Sequence, residues 1–515
     1  MPTSALPSPA PIATSLRSNA VVALSGGVLM ALEILALRIL SPSFGSSVYV
    51  WGAVLSVFLA AMSTGYVIGG RLADRRPELE VLGTLLLISS LGIAALIGTS
   101  FALAEQIASW AEARTWGPLV AATLLFGPAT ALLASASPFA VRLAAHELAG
   151  VGRIAGRLYA ISTVGSLAGT LVATFLLIPF LELDSILLLL TAGAITAGAI
   201  ASGRSITRRP ASAAMLILAV AVTGIGWAGA RRATPGALLE RRLSPYQTLD
   251  VIESAGRRTL LSNGHRQASI ELATGEPALR YARAARVALL YHPQPRRALF
   301  LGLGGGSVAH VLRELVPALE ADHVEIDAAV LDLAERHFGF ARGPGDRVHL
   351  DDGRRFLRRT GETWDLIVVD TYVGLSIPFH LATREMYQLV ERRLDPGGVL
   401  LLNLAAPPDQ PLVAAILDTV RSVFPAVSVY AVPGASGTLV VARGLAPEAD
   451  PITSDQLAER ARRFDERFDL DPSFAQLLEA RIETPDGATE TILHDAFAPV
   501  DRLLHLGRAA PRVPG

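Results

Sequence analysis

The chain reads as a multi-pass α-helical membrane domain followed by an α/β, Rossmann-like domain with a small N-terminal β-part. Three observations predict this. Roughly the first 230 positions are almost continuously apolar, whereas the remainder has ordinary globular polarity. Within that first part, about seven stretches are long enough to cross a bilayer. From residue 298 onward, short apolar strands alternate with helix-like segments, the pattern of a parallel sheet covered on both faces.

Composition narrows the chemistry. The formal net charge of −1 argues against a nucleic-acid binder. Cysteine is absent, which excludes disulfides, thiol nucleophiles and thiolate metal sites. All basic side chains besides histidine are arginines, so lysine Schiff-base chemistry and a phosphate-binding lysine loop are excluded too. No metal site is expected.

Residues 1–19, rich in Pro, Ser and Ala, are expected to form a disordered tail. A transmembrane domain over 20–230 follows, with candidate spans at 20–40, 48–70, 81–103, 117–136, 158–179, 185–201 and 211–229. Small residues recur in them, as at Ser162, Gly165, Ser166 and Gly169, and let helices approach closely. Glu33 and Arg38 fall in or at the end of the first span. An intramembrane carboxylate is a functional candidate, but a structural ion pair or an interfacial placement is the preferred reading. Gly70 to Arg76 resembles the cytoplasmic loop motif of major-facilitator transporters, with Pro77 and Glu78 where that motif has a further glycine and basic residues.

In the second part, 249–253 and 258–262 read as strands with tight turns at Gly256 and Asn263-Gly264. A helix is expected over 278–291. Strands at 298–301, 323–326, 347–349, 365–370 and 398–404 then alternate with helices at 307–315, 328–338, 354–358 and 384–394. Ligands on such sheets bind at the carboxyl ends of the strands, where Gly302, Glu325, Asp352 and Asp370 all fall. Glycines at 302 and 304 let the backbone approach a ligand, and a carboxylate at Glu325 suits ribose hydroxyls. Asp352, followed by Gly353, suits an adenine N–H. Asp370 ends an apolar strand and suits a cation or a proton.

These motifs, with Tyr246-Gln247 and the segments 292–297 and 394–399, resemble the spermidine synthase (polyamine aminopropyltransferase) family over about residues 244–444. The whole chain looks like the membrane-fused members of that family. The resemblance implies a class I methyltransferase-type fold over 239–445, with the β-part at 239–275, the core at 278–445 and a C-terminal helical extension at 446–515. It implies decarboxylated S-adenosylmethionine as co-substrate, no tightly bound cofactor, and putrescine or another small amine as acceptor. Gln247, Gly302, Gly304, Glu325, Asp352 and Gly353 would bind the donor and Asp370 would be catalytic. Tyr246, Tyr281, Tyr372 and His380 would bind the acceptor. A homodimer is expected, since the family commonly pairs.

The departures are specific. Gly305, Val373 and Asn263 stand where the family has acids, and Ala282 lies near another such position. His380 is a candidate substitute base. Two alternatives stay open: another S-adenosylmethionine-dependent transferase such as a methyltransferase, or a transporter whose soluble domain senses a nucleoside or polyamine. Arginine-rich loops alternate so that the N-terminus is cytoplasmic, and seven crossings would then place the α/β domain outside. Arg231, Arg232, Arg241 and Arg242 flank the last span in the inside manner, so a multi-pass protein of the cell (inner) membrane with a cytoplasmic catalytic domain is expected.

Overall fold

The computed structural model describes residues 12–44, 48–109, 113–144, 151–203, 210–230, 236–371, 377–444, 452–483, 491–500 and 503. It comprises two units, Met1–Thr234 and Pro235–Gly515.

The first unit is helical: α1 (Ile12–Phe44), α2 (Val48–Arg75), α3 (Leu79–Ala95), α4 (Ser100–Ala108), α5 (Ala113–Ala134), α6 (Ala136–Ala144), α7 (Val151–Val172), α8 (Ile178–Phe180), α9 (Leu183–Ser202) and α10 (Pro210–Ala230). A π-turn, Ala173–Leu177, joins α7 to α8. Five helices are long and apolar enough to cross a membrane, or six if α3 and α4 make one span bent by 70°. That bend interrupts the span expected at 81–103. In α10 the described apolar core, Ala213–Gly226, is shorter. Helices touch where side chains vanish: a Cβ on Gly169 would stand 2.1 Å from the Gly27 carbonyl oxygen, and one on Gly65 the same distance from that of Ala131.

Two expectations need correction. The tail assigned to 1–19 is already helical from Ile12, and Arg17 donates to the carbonyls of Ile200 (2.8 Å) and Ala201 (2.9 Å) at the C-terminal end of α9, where a cation is favoured. Glu33 and Arg38 form no ion pair. Arg38 donates instead to the Ile178 carbonyl at 3.2 Å. Five positions separate them, about 140° around the helix, so they face different neighbours.

The second unit begins with an antiparallel sheet of β1 (Ala237–Leu243), β2 (Thr248–Ser254), β3 (Arg257–Ser262) and β4 (His265–Glu271), in sequence order. Both expected turns are present, with positive φ at Ala255-Gly256 and at Asn263-Gly264. The helix expected over 278–291 is α11 (Arg280–Ala284) continued by a 3₁₀ segment, Ala285–Leu290.

The larger sheet contains β5 (Arg297–Leu301), β6 (Glu320–Glu325), β7 (Arg347–Leu350), β8 (Trp364–Val369), β9 (Leu394–Leu404), β10 (Ala426–Ala431), β11 (Thr438–Arg443) and β12 (Arg481–Ile482), in the order β12-β10-β11-β9-β8-β5-β6-β7. β7 to β9 through the centre are parallel, and β10, β11 and β12 join antiparallel. Between them lie α12 (Ser307–Leu315), α13 (Ala328–His337), α14 (Gly353–Arg359), α15 (Arg384–Arg393) and α16 (Pro411–Arg421), followed by α17 (Ser454–Arg467) and α18 (Phe474–Glu479). This is the Rossmann-like, methyltransferase-type arrangement. Its core divides over the two sheet faces, around Leu299, Ile367 and Leu400 on one and Phe300, Val368 and Leu401 on the other. The extension is not purely helical, because β12 pairs with the edge of β10.

At the opposite end of the parallel strands from the site, buried Asp322 accepts hydrogen bonds from Arg347 Nε (2.7 Å), Trp364 Nε1 (2.8 Å) and Arg297 (3.3 Å). This network ties β5, β6, β7 and β8 together, and it satisfies a carboxylate that burial alone would penalise.

Candidate active site

The strand order reverses between β5 and β8, since the chain proceeds to β6 and β7 on one side and returns to β8 and β9 on the other. Ligand crevices form at such a switch point, beyond the carboxyl ends of the strands. A cavity of about 260 Å³ occupies that place.

Its floor is the turn after β5. Gly302, Gly304 and Gly306 have φ of 90°, 54° and 74°. At Gly302 a Cβ would stand 2.0 Å from the Asp370 carbonyl oxygen, so this close passage of two strand ends requires glycine. The turn opens α12, whose first amides have no side-chain cap.

Glu325 ends β6. Its carboxylate accepts from Leu303 N (3.0 Å) and Asp327 N (2.9 Å), which fixes the glycine turn against the next strand. Burial raises its pKa, and those two backbone donors oppose the rise. Asp352, after β7, caps α14 by accepting from Arg355 N at 2.8 Å and lies 3.1 Å from His380 Nε2. Burial works to raise this carboxyl, but the hydrogen bonds from Arg355 N and His380 outweigh it and leave it below the usual carboxylate value. Asp370, after β8, accepts from Asn403 Nδ2 at 2.8 Å and is hydrogen-bonded to Tyr281. Burial pushes Asp370 up despite both partners, and burial with the adjacent Asp370 charge pushes the Tyr281 phenol up. The site thus pairs a strongly solvated-type carboxylate at one strand end with a desolvated one at another, the latter suited to holding an ammonium group or accepting its proton.

Of the residues expected from sequence, Tyr246, Gln247, Tyr281, Gly302, Gly304, Glu325, Asp352, Gly353, Asp370 and His380 all line this one cavity. Tyr372 and Val373 lie outside the described residues. Gln247 is positioned rather than free: its Nε2 is 3.3 Å from Asp327 Oδ2 and its Oε1 accepts from Ser262. Asp327 also accepts from Ser244 at 2.6 Å and caps α13 through Ala329 N, so it is a buried joint between the two sheets. His380 is engaged by Asp352, not by Asp370. Asn263 does not face the cavity as a ligand; its Oδ1 accepts from Thr248 N at 3.0 Å and holds the hairpin. Gly305 is enclosed, since a Cβ there would stand 2.7 Å from that of Ala268.

Gln267 of β4, Thr371 and Asn403 were missed by sequence reasoning. Gln267 and Thr371 line the cavity, and Asn403 supports Asp370 from β9. Asn403 carried a usable signal, as the one amide in the apolar run Val399–Leu404.

Comparison with known proteins decides what the cavity belongs to. Residues 282–442 match the spermine/spermidine synthase domain. The polyamine aminopropyltransferase of Vibrio vulnificus is 33% identical over 227 residues, covering 43% of this chain and 75% of that one. That of Moorella thermoacetica is 30% identical over 262 residues, covering 47% and 90%.

The chain belongs to the spermidine synthase family.

It is therefore an aminopropyltransferase-type enzyme, and the family's co-substrate, decarboxylated S-adenosylmethionine, is the ligand against which the cavity is read. The eEF1A lysine and N-terminal methyltransferase of Danio rerio is also similar, 32% identical over 180 residues, but these cover 33% of this chain and 26% of that one.

Proposed function

We propose that the second unit transfers an aminopropyl group from decarboxylated S-adenosylmethionine to putrescine or a related small primary amine. We propose also that the first unit anchors it as a multi-pass protein of the cell membrane, with the catalytic unit on the cytoplasmic side and the enzyme acting as a homodimer. The observation that carries the enzymatic reading is the convergence of Glu325, Asp352 and Asp370, each from a different strand end, on one cavity.

In this reading Asp352 receives the adenine end, Glu325 the ribose hydroxyls, and the glycine turn the donor's backbone-facing side. The acceptor approaches Asp370 and Tyr281. An alkylammonium has a pKa of about 10, as lysine does, so its nitrogen must first lose a proton. Asp370 accepts or directs that proton. The nitrogen lone pair then attacks the carbon beside the sulfonium; the C–N bond forms and the C–S bond breaks with its electron pair going to sulfur. Methylthioadenosine leaves, and the extended amine carries the aminopropyl group.

One observation favours a second reading, methyl transfer from intact S-adenosylmethionine: Gly305 lacks the acid that in this family helps hold the donor's amine. The test is to incubate the purified full chain with putrescine and either donor. Methylthioadenosine from the decarboxylated donor supports aminopropyl transfer. S-adenosylhomocysteine from the intact donor, with no methylthioadenosine from the other, would reverse the assignment.

A further inference from the structure

The first unit contains a buried ionisable group that transferase chemistry does not use. Glu33 is 9% exposed, in a stretch of α1 where Leu29, Leu32, Leu35 and Ala36 are all buried. Among the described residues it has neither a hydrogen-bond nor an ion-pair partner, since Arg38 is directed to the Ile178 carbonyl. An ionised carboxylate alone in an apolar interior is strongly disfavoured, so the group is stable there only with a proton or beside a cation.

Its surroundings are those of a site. Gly26 and Glu33, seven residues apart, share one helix face, two turns less about 20°. That face meets α7, because a Cβ on Gly26 would stand 2.8 Å from both Ser162 O and Ser166 Oγ. The contacts of Gly27 with Gly169 and of Arg38 with Ile178 bracket Glu33 along α7 and put it level with Thr174. Ser162, Ser166, Thr170 and Thr174 recur at every fourth position, so a row of hydroxyls leads along α7 to this level. There the helix widens into the π-turn Ala173–Leu177, a distortion that recurs at functional positions and offsets carbonyls from the regular ladder.

We propose that Glu33 is the cation-binding carboxylate of the membrane unit and takes a primary alkylammonium in exchange for the proton it carries when empty. This rests on the reading of the first unit as membrane-spanning. An ammonium brings one charge and three donors, which match one carboxylate with neighbouring hydroxyl and carbonyl oxygens. Its alkyl tail suits the leucine and alanine walls. A bare metal ion would need about six or more oxygen ligands.

The experiment uses the full chain in lipid nanodiscs, dicyclohexylcarbodiimide as the reagent for protonated carboxyls in apolar surroundings, and putrescine as the probe. Peptide mass spectrometry is expected to find Glu33 modified. Putrescine at about ten times its Kd slows the modification roughly tenfold, as one-site occupancy requires, while sodium chloride at equal ionic strength does not. Glu33→Gln loses the modification and keeps the parent Tm. Thr174→Val keeps the modification but needs more putrescine for protection. An unmodified Glu33 in a chain of parental Tm, no protection by putrescine, or equal protection by sodium would each overturn the proposal. Release of the chain from cell membranes by alkaline carbonate would overturn the membrane reading, and the proposal with it.

Discussion

His380 Nε2 stands 3.1 Å from Asp352 Oδ2, and Arg354, on the same turn as Asp352, donates to the His380 carbonyl at 2.9 Å. Both ends of the His380 residue are therefore fixed to the first turn of α14, which closes the Asp352 end of the cavity. In the proposed binding mode this is where the donor's adenine is read. Asp352→Asn replaces an acceptor oxygen by a donor and leaves His380 without its anion. We expect the donor KM to rise roughly tenfold, ~1.4 kcal/mol, with a smaller change in kcat. Initial rates over a donor series check this. The pH sign follows from the lowered carboxyl: its stabilising contribution is present above the unfolded-state value and is lost as pH falls through the folded one. The acid side of the Tm–pH curve should flatten in Asp352→Asn.

Asp370 has the opposite sign. Burial raises its pKa in the folded chain, so the native state holds the proton more tightly than the unfolded state does. The resulting stability is present below the unfolded-state pKa and is lost as pH rises through the folded one. Asp370→Asn should therefore melt at a higher temperature than the parent at neutral pH, while kcat falls about 10²- to 10⁴-fold. The acid limb of the parent's kcat/KM should lie above the usual carboxylate value. Asn403→Leu, which removes a hydrogen bond that opposes the rise, should move that limb further up. A kcat within twofold of the parent in Asp370→Asn would remove this carboxylate from the mechanism.

Gly305 marks a coupled substitution. A Cβ there would stand 2.7 Å from that of Ala268 on β4, a rigid atom that cannot swing aside. Gly305→Asp alone should cost about 1–3 kcal/mol through overpacking. Gly305→Asp with Ala268→Gly should recover most of that loss. If the donor amine lies over this turn, the double variant should also bind the decarboxylated donor more tightly than the parent. Chemical denaturation and donor titration separate the two effects.

What was legible in the sequence was local. The glycine turn, the acids at strand ends and the tight hairpin at Asn263-Gly264 are each set by a few adjacent residues, and the structure brings them to one cavity. What was not legible depended on partners chosen at a distance. Gln267 sits in the polar stretch His265–Glu271, which joins the sheet because β3 offers it a free edge, not because of its own pattern. Gln247 reads as a ligand by position, yet its amide is held by Asp327 and Ser262. Glu33 and Arg38 look paired along the chain, but helical geometry turns them apart. Tertiary contacts, rather than spacing, decide all three.

The longest such contact supplies the last prediction. Arg354 donates to Asp495 Oδ1 at 2.7 Å and Oδ2 at 2.5 Å, and Thr383 donates to the same carboxylate at 2.8 Å. Asp495 N in turn donates to Glu385 at 3.1 Å, and Leu493 accepts from Arg384 N at 2.8 Å. A segment beyond the matched domain thus clamps the guanidinium that holds the His380 carbonyl, and so sets the wall facing Asp352. The Arg354 bond holds the Asp495 carboxyl below its usual value, so the clamp persists across the neutral range. Asp495 touches no part of the cavity and acts only by positioning. Asp495→Ala should raise the donor KM roughly three- to tenfold, ~0.7–1.4 kcal/mol, with kcat nearly unchanged, and Asp495→Glu should restore most of it. A purely structural role would instead lower Tm and the active fraction while leaving KM at the parent value. Donor KM, kcat and Tm measured on the same preparations distinguish the two.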